Sequence, residues 1–110
     1  MTMTEKFMLA TIAATNLAEL QAKTKQTQAK LDETTNLLDF AFRRYAVEVR
    51  LGNANNLAKL QVQIERLCTE RDKLKRRLAR QTREIIKLEK QAVDINEFDE
   101  AEILAENMTA

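Results

Sequence analysis

Apolar side chains recur at alternating intervals of three and four residues along the second half of the chain. The pattern starts at Leu57 and continues for more than five heptads, as far as Ile95. This spacing places the side chains on one side of an α-helix, at the a and d positions of a coiled coil, and only Arg71 and Gln81 interrupt it. The predicted coiled-coil seam consists of Leu57, Leu60, Ile64, Leu67, Arg71, Leu74, Leu78, Gln81, Ile85 and Leu88.

The first half of the chain has the same spacing but weaker residues. Between residues 21 and 36, Leu31 is the single large aliphatic residue, and three threonines occupy seam positions in this half. Such a segment is not a stable helix by itself, so we expect packing against another helix to hold it. Its predicted seam consists of Ala13, Leu17, Leu20, Thr24, Thr27, Leu31, Thr34, Leu38, Ala41 and Tyr45.

The segment LGNANN at residues 51–56 separates the two patterns. Gly52 suits the left-handed conformation that ends many helices, and Asn55 or Asn56 can cap the helix that follows. A turn here predicts an antiparallel hairpin. The alternative is one continuous rod, in which Gly52 costs about 1 kcal/mol relative to alanine.

The sequence therefore predicts one all-α domain over residues 1–110, a long antiparallel helical hairpin (two-helix coiled coil) with a short acidic C-terminal helix. Its predicted parts are a helix at 4–51, a turn at 52–56, a coiled-coil helix at 57–95 and an acidic amphipathic tail at 96–110.

The tail combines acidic residues with an apolar stripe. Asn96 can cap a helix whose first turn is acidic, which the helix dipole favours. We expect such a helix to dock against another surface. The residues that we assign to tail docking are Glu97, Phe98, Asp99, Glu100, Glu102, Leu104 and Met108.

Composition supports the all-α prediction and reveals an uneven charge. The chain contains no proline and one glycine, and 32% of its residues are charged. The net charge of +1 conceals +6 over residues 57–92 and −6 over residues 93–110. A charge separated in this way points to an interaction between surfaces of opposite sign.

Most basic residues of the second helix fall at heptad positions c and f, along its outer side, and we call them the basic ridge. It extends for about 45 Å at the helical rise per residue. Charged outer positions are common in soluble coiled coils, but acids are nearly absent from c and f here, which favours binding of an anionic partner. An acidic protein helix fits better than nucleic acid, because a base-reading motif and stacking aromatics are missing. The ridge consists of Lys59, Arg66, Lys73, Arg76, Arg80, Arg83, Lys87 and Lys90.

The residues of most enzyme sites are missing from the sequence. Histidine is absent, Cys68 is the only cysteine, and there is no glycine-rich phosphate loop. We expect a non-enzyme with no catalytic residues, cofactor, metal or small-molecule substrate. A lone cysteine suits a reduced cytoplasmic location, and the apolar stretch FMLATIAA is shorter than a membrane span.

Apolar residues outside the seam of the first half exceed what one helix contact can bury. They indicate either a broader core with the tail packed on it or an interface between subunits, and the second is favoured because a lone hairpin buries little surface. The candidate interface residues are Phe7, Leu9, Ile12, Phe40 and Phe42.

These features predict a coiled-coil structural or assembly protein that acts by protein–protein docking. It would be a self-associating subunit, forming a homo-oligomer, or an adaptor within a larger complex. One alternative is a small nucleic-acid-associated protein that uses the ridge of residues 59–90 non-specifically. Another is a chaperone or escort of a second helical protein.

Overall fold

Two long α-helices joined by a short turn form the part of the chain that the structure describes. The computed structural model describes the backbone of residues 2–109 and the side chains of residues 2–91. Helix α1 spans Met3–Leu51 and helix α2 spans Ala54–Thr109. The predicted all-α helical hairpin is confirmed, and the continuous rod is wrong.

The turn ends α1 with a Schellman motif built on the single glycine. Gly52 has a φ of +68°, and its N–H donates to the Val49 carbonyl at 3.3 Å. The next N–H, that of Asn53, donates to the Glu48 carbonyl at 3.4 Å. Two carbonyls at the end of α1 are thereby satisfied within a turn of two residues.

Asn53 also begins α2, where sequence analysis expected Asn55 or Asn56. The Asn53 side-chain Oδ1 accepts a hydrogen bond from the Asn56 N–H at 3.2 Å, and the Asn53 carbonyl accepts one from Leu57 at 3.0 Å. Asn53 caps the helix directly after the glycine. Helix α2 therefore begins at Ala54, three residues before the predicted start.

The first helix begins with a capping box. The Thr2 Oγ1 accepts a hydrogen bond from the Glu5 N–H at 3.2 Å, and the Glu5 carboxylate accepts one from the Thr2 N–H at 3.2 Å. These reciprocal bonds satisfy backbone donors that a helix leaves unpaired at its first turn, so α1 begins at Met3.

The second helix extends beyond the predicted boundary at residue 95. Its backbone stays helical to Thr109, because the sequence after Gly52 contains no proline or glycine that would end it. A separate tail helix is therefore not seen in the backbone. The side chains of residues 92–110, and with them the predicted tail-docking residues, lie outside the described residues.

The helices contribute to two compact units. One unit is Lys25–Arg80, which contains the turn and the adjoining parts of both helices. The other unit brings Met1–Thr24 together with Gln81–Ala110. Each unit thus contains one segment of α1 and one segment of α2, as an antiparallel hairpin requires.

The shielded residues of α1 follow the spacing of three and four along its whole length. Leu38 and Ala41 are the most buried apolar residues of this helix, at 3% and 2% exposure. Every residue of the predicted first-half seam is buried or half-buried. The line also continues past the predicted seam, to Lys6 at one end and Glu48 at the other.

Threonines fit this line because their hydroxyls bond within the helix. The Thr24 hydroxyl donates to the Leu20 carbonyl at 2.7 Å, and the Thr34 hydroxyl donates to the Lys30 carbonyl at 2.8 Å. The polar atom is satisfied by the preceding turn, which leaves the methyl group to pack. Thr27 and Thr34 are only 4% and 7% exposed, although each carries a hydroxyl.

We expect Gly52→Ala to lower the free energy of unfolding by about 1 kcal/mol, because a β-carbon disfavours the left-handed conformation. A β-carbon at this position would meet no atom within 4 Å, so the cost arises from the backbone alone. Gly52→Asn is the control, and it should lose about half as much, since asparagine tolerates this conformation better. Urea unfolding at one fixed protein concentration measures both. An alanine variant as stable as the wild type would contradict the role given to the turn.

Candidate functional site

The inner face of α2 coincides with the coiled-coil seam that its spacing predicts. Leu74 is 2% exposed, and the other nine seam residues are half-buried. Outside the seam, Asn56 and Cys68 are the only half-buried residues among the described side chains of this helix. The seam is therefore the surface through which α2 contacts another helix.

Two polar residues in this seam are accommodated differently. The Arg71 Nε lies 3.4 Å from a carboxylate oxygen of its neighbour Asp72, so its charge is paired within the same helix. The side-chain carbonyl oxygen of Gln81 is shielded from solvent and accepts no hydrogen bond from the described residues. A shielded acceptor without a donor costs about 1–3 kcal/mol.

The basic ridge lies on the opposite side of α2. All eight of its side chains are exposed. None of them lies within ion-pair distance of a carboxylate in the part of the chain that the structure describes. The ridge therefore presents positive charge to solvent, available to an anionic partner.

A groove between the two helices lies beside the turn, within the unit Lys25–Arg80. We call it the turn-side groove. Its volume is about 180 Å³. Glu48, which is 7% exposed, is its most buried residue. The residues that line it are Arg44, Glu48, Asn56, Lys59, Leu60 and Gln63.

Large apolar side chains are exposed at both ends of α1. The five candidate interface residues Phe7, Leu9, Ile12, Phe40 and Phe42 are all exposed, Phe7 at 74% and Phe40 at 63%. The first three belong to one compact unit and the last two to the other. Further exposed apolar residues lie near the second group, namely Leu37, Val47, Val49 and Leu51.

Sequence analysis missed the charged residues at the ends of the α1 seam and the turn-side groove. Lys6 and Glu48 are 4% and 7% exposed. The spacing of three and four residues would have predicted both, because continuing it past the apolar residues in each direction leads to Lys6 and Glu48. The groove had no such signal, because it depends on which residues of the two helices lie opposite each other.

Two other sequence features are less informative in the structure. Cys68 is half-buried on the flank of α2. Within the described residues, neither helix contains an apolar stretch long enough to cross a bilayer.

Comparisons of the chain with family models, with curated proteins and with solved structures give no match. The functional argument therefore depends on the surfaces of the hairpin alone.

We expect Gln81→Leu to raise the free energy of unfolding by about 1–2 kcal/mol, because it removes an unpaired shielded acceptor and adds apolar contact in the seam. Gln61→Leu is the matched control on the exposed side of α2, and it should change stability by less than about 0.5 kcal/mol. Urea unfolding of both variants makes the comparison. A neutral or destabilising Gln81→Leu would show that the Gln81 amide makes a stabilising interaction that leucine removes.

Proposed function

We propose that this chain is a non-enzymatic coiled-coil structural or assembly protein. It acts by docking helices of other protein subunits, as a self-associating subunit or as an adaptor within a larger complex. The observation that carries this proposal is the apolar surface that α1 leaves exposed between residues 37 and 51.

That surface has the spacing of a second coiled-coil seam. Leu37, Phe40, Val47 and Leu51 follow one another at intervals of three, seven and four residues, and Arg44 occupies the position between Phe40 and Val47. We call these four apolar residues the outer stripe. They are 46% to 70% exposed, so the partner helix α2 does not cover them. A regular apolar stripe outside the hairpin's own seam is suited to packing against a further helix.

The small size of the hairpin supports the same proposal. A two-helix chain buries only one side of each helix, so Leu31, Leu38, Ala41 and Leu74 are its only buried apolar residues in the described part. Small domains with so limited a core often gain stability from association. Covering the outer stripe with another subunit would add apolar burial worth about 25 cal/mol per Å².

We expect the double variant Phe40→Ser with Val47→Ser to weaken self-association by about tenfold or more, because two exposed apolar anchors are lost. The control is Val62→Ser with Ile86→Ser, which removes two apolar side chains of 56% and 58% exposure from α2. Sedimentation velocity over a dilution series measures the dissociation constants. A wild-type chain that stays monomeric throughout would contradict self-association, and equal loss in both double variants would exclude the outer stripe as the interface.

The exposed basic ridge keeps a second candidate function under consideration, which is non-specific binding of nucleic acid. Its cations carry no ion pair within the described residues. Contact with about six phosphates would give a log–log dependence of affinity on salt with a slope near −5.

For this second function we expect a negative result. If the ridge serves protein docking, retention of duplex DNA on filters should disappear by about 200 mM salt, even at protein concentrations of about 10 μM. The control is Arg83→Glu with Lys90→Glu, which reverses two ridge charges. Strong retention at that salt concentration, lost in the control variant, would favour nucleic acid over protein as the partner.

A further inference from the structure

We propose that the turn-side groove binds the acidic C-terminal segment of a second copy of the chain. This inference rests on the proposed assembly function and specifies its partner. It follows from the two walls of the groove, which differ in chemistry, and from the sequence of residues 93–110.

On the α1 side, the groove is lined by Arg44 and by the nearly buried Glu48, and apolar residues continue the line of Arg44 along the helix. Arg44 lines the groove, and Leu37 and Leu51 lie seven residues before and after it, two helical turns away on the same side of α1. Phe40 and Val47 lie four and three residues from Arg44, so they share that side. The outer stripe therefore forms the margin of the groove along α1.

On the α2 side, the groove is lined by one cation, Lys59, together with Asn56, Leu60 and Gln63. Lys59 lines the groove, and Arg66 and Lys73 follow it at intervals of seven residues, on the same side of the helix. All three side chains are exposed, and none has an ion pair in the described part of the chain. A helix that lies along the groove and extends beyond it would thus meet Arg44, Glu48 and the outer stripe on the α1 side, and a line of three cations on the α2 side.

Such a groove is complementary to an amphipathic helix with acidic residues beside its apolar stripe. The C-terminal sequence has this pattern. Phe98, Ala101, Ala105 and Met108 follow the spacing of one helical face, and residues 93–110 contain six acidic and no basic residues. On a helical projection Glu102 and Glu106 flank that apolar face on one side.

The segment that occupies the groove comes from a second copy. Residues 98–108 and Lys59 belong to the same continuous helix α2. A helix cannot pack against an earlier turn of itself, so a chain cannot place its own C-terminal segment beside its own Lys59 and Arg66. Contact between two copies is therefore head to tail.

A charge exchange between two variants tests this contact. One variant is Lys59→Glu with Arg66→Glu, which reverses the groove. The other is Glu102→Lys with Glu106→Lys, which reverses the C-terminal segment. We expect each variant alone to self-associate at least about tenfold more weakly than the wild type, because like charges then face each other. An equimolar mixture should recover association to within about threefold, because the reversed groove now matches the reversed segment.

The matched control is Lys25→Glu with Lys75→Glu, which changes the net charge by the same amount as the groove variant, at two exposed lysines outside both the groove and the basic ridge. It should alter association by less than about threefold. Sedimentation velocity at about 150 mM salt gives the dissociation constants, and circular dichroism verifies that each variant keeps its helices. The proposal is overturned if the control and groove variants behave alike, or if the mixture does not recover.

The outcomes also separate this proposal from the assembly function. If the wild type associates through the outer stripe but the charge exchange has no effect, assembly stands and the C-terminal segment is the wrong occupant. Both self-association and binding of the C-terminal segment in the groove are rejected if the wild type is monomeric and a fluorescent peptide of residues 93–110 does not bind it at about 150 mM salt.

Discussion

Mutual coverage of one side of each helix is the interaction on which the rest of this protein depends. Helix α1 is too poor in apolar residues around Thr27 and Thr34 to be stable there alone. Pairing overcomes this weakness because the threonine hydroxyls bond within their own helix, so their methyl groups can join Leu31 and Leu38 in the seam. The hairpin is thus held by a narrow line of contact, and the surfaces outside that line are available for other interactions.

Those outer surfaces divide by chemistry as well as by position. The outer stripe on α1 is apolar, while the basic ridge on α2 consists only of cations at its eight positions. The turn-side groove is lined by Arg44, which stands in line with the outer stripe, and by Lys59 of the basic ridge, so the two kinds of surface approach each other there. An apolar margin alone would attract many partners. A basic margin beside it adds a condition on charge, and the two together define a narrower class of partner helix.

Sequence spacing was enough to predict the hairpin and the residues on its inner faces, because an interval of three and four residues is a direct consequence of helix geometry. The ends of the elements were harder to predict. Asn53 rather than Asn55 or Asn56 caps α2, since the position of the cap depends on where the left-handed Gly52 directs the chain. Lys6 and Glu48 were overlooked because a search for apolar residues does not count charged residues as seam positions. The groove was beyond prediction, since it requires knowing which parts of α1 and α2 lie opposite each other.

The two-residue turn restricts how the length of this chain can change. The two bonds of the Schellman motif and the two bonds to Asn53 fix the path of the chain through the turn. A single residue inserted into either helix would rotate everything beyond it by about 100° and remove its apolar side from the contact. Insertions and deletions are therefore tolerated only as whole heptads, matched between the two helices. Divergent relatives of this chain should differ in length by paired multiples of seven residues, with Gly52 and Asn53 retained between them.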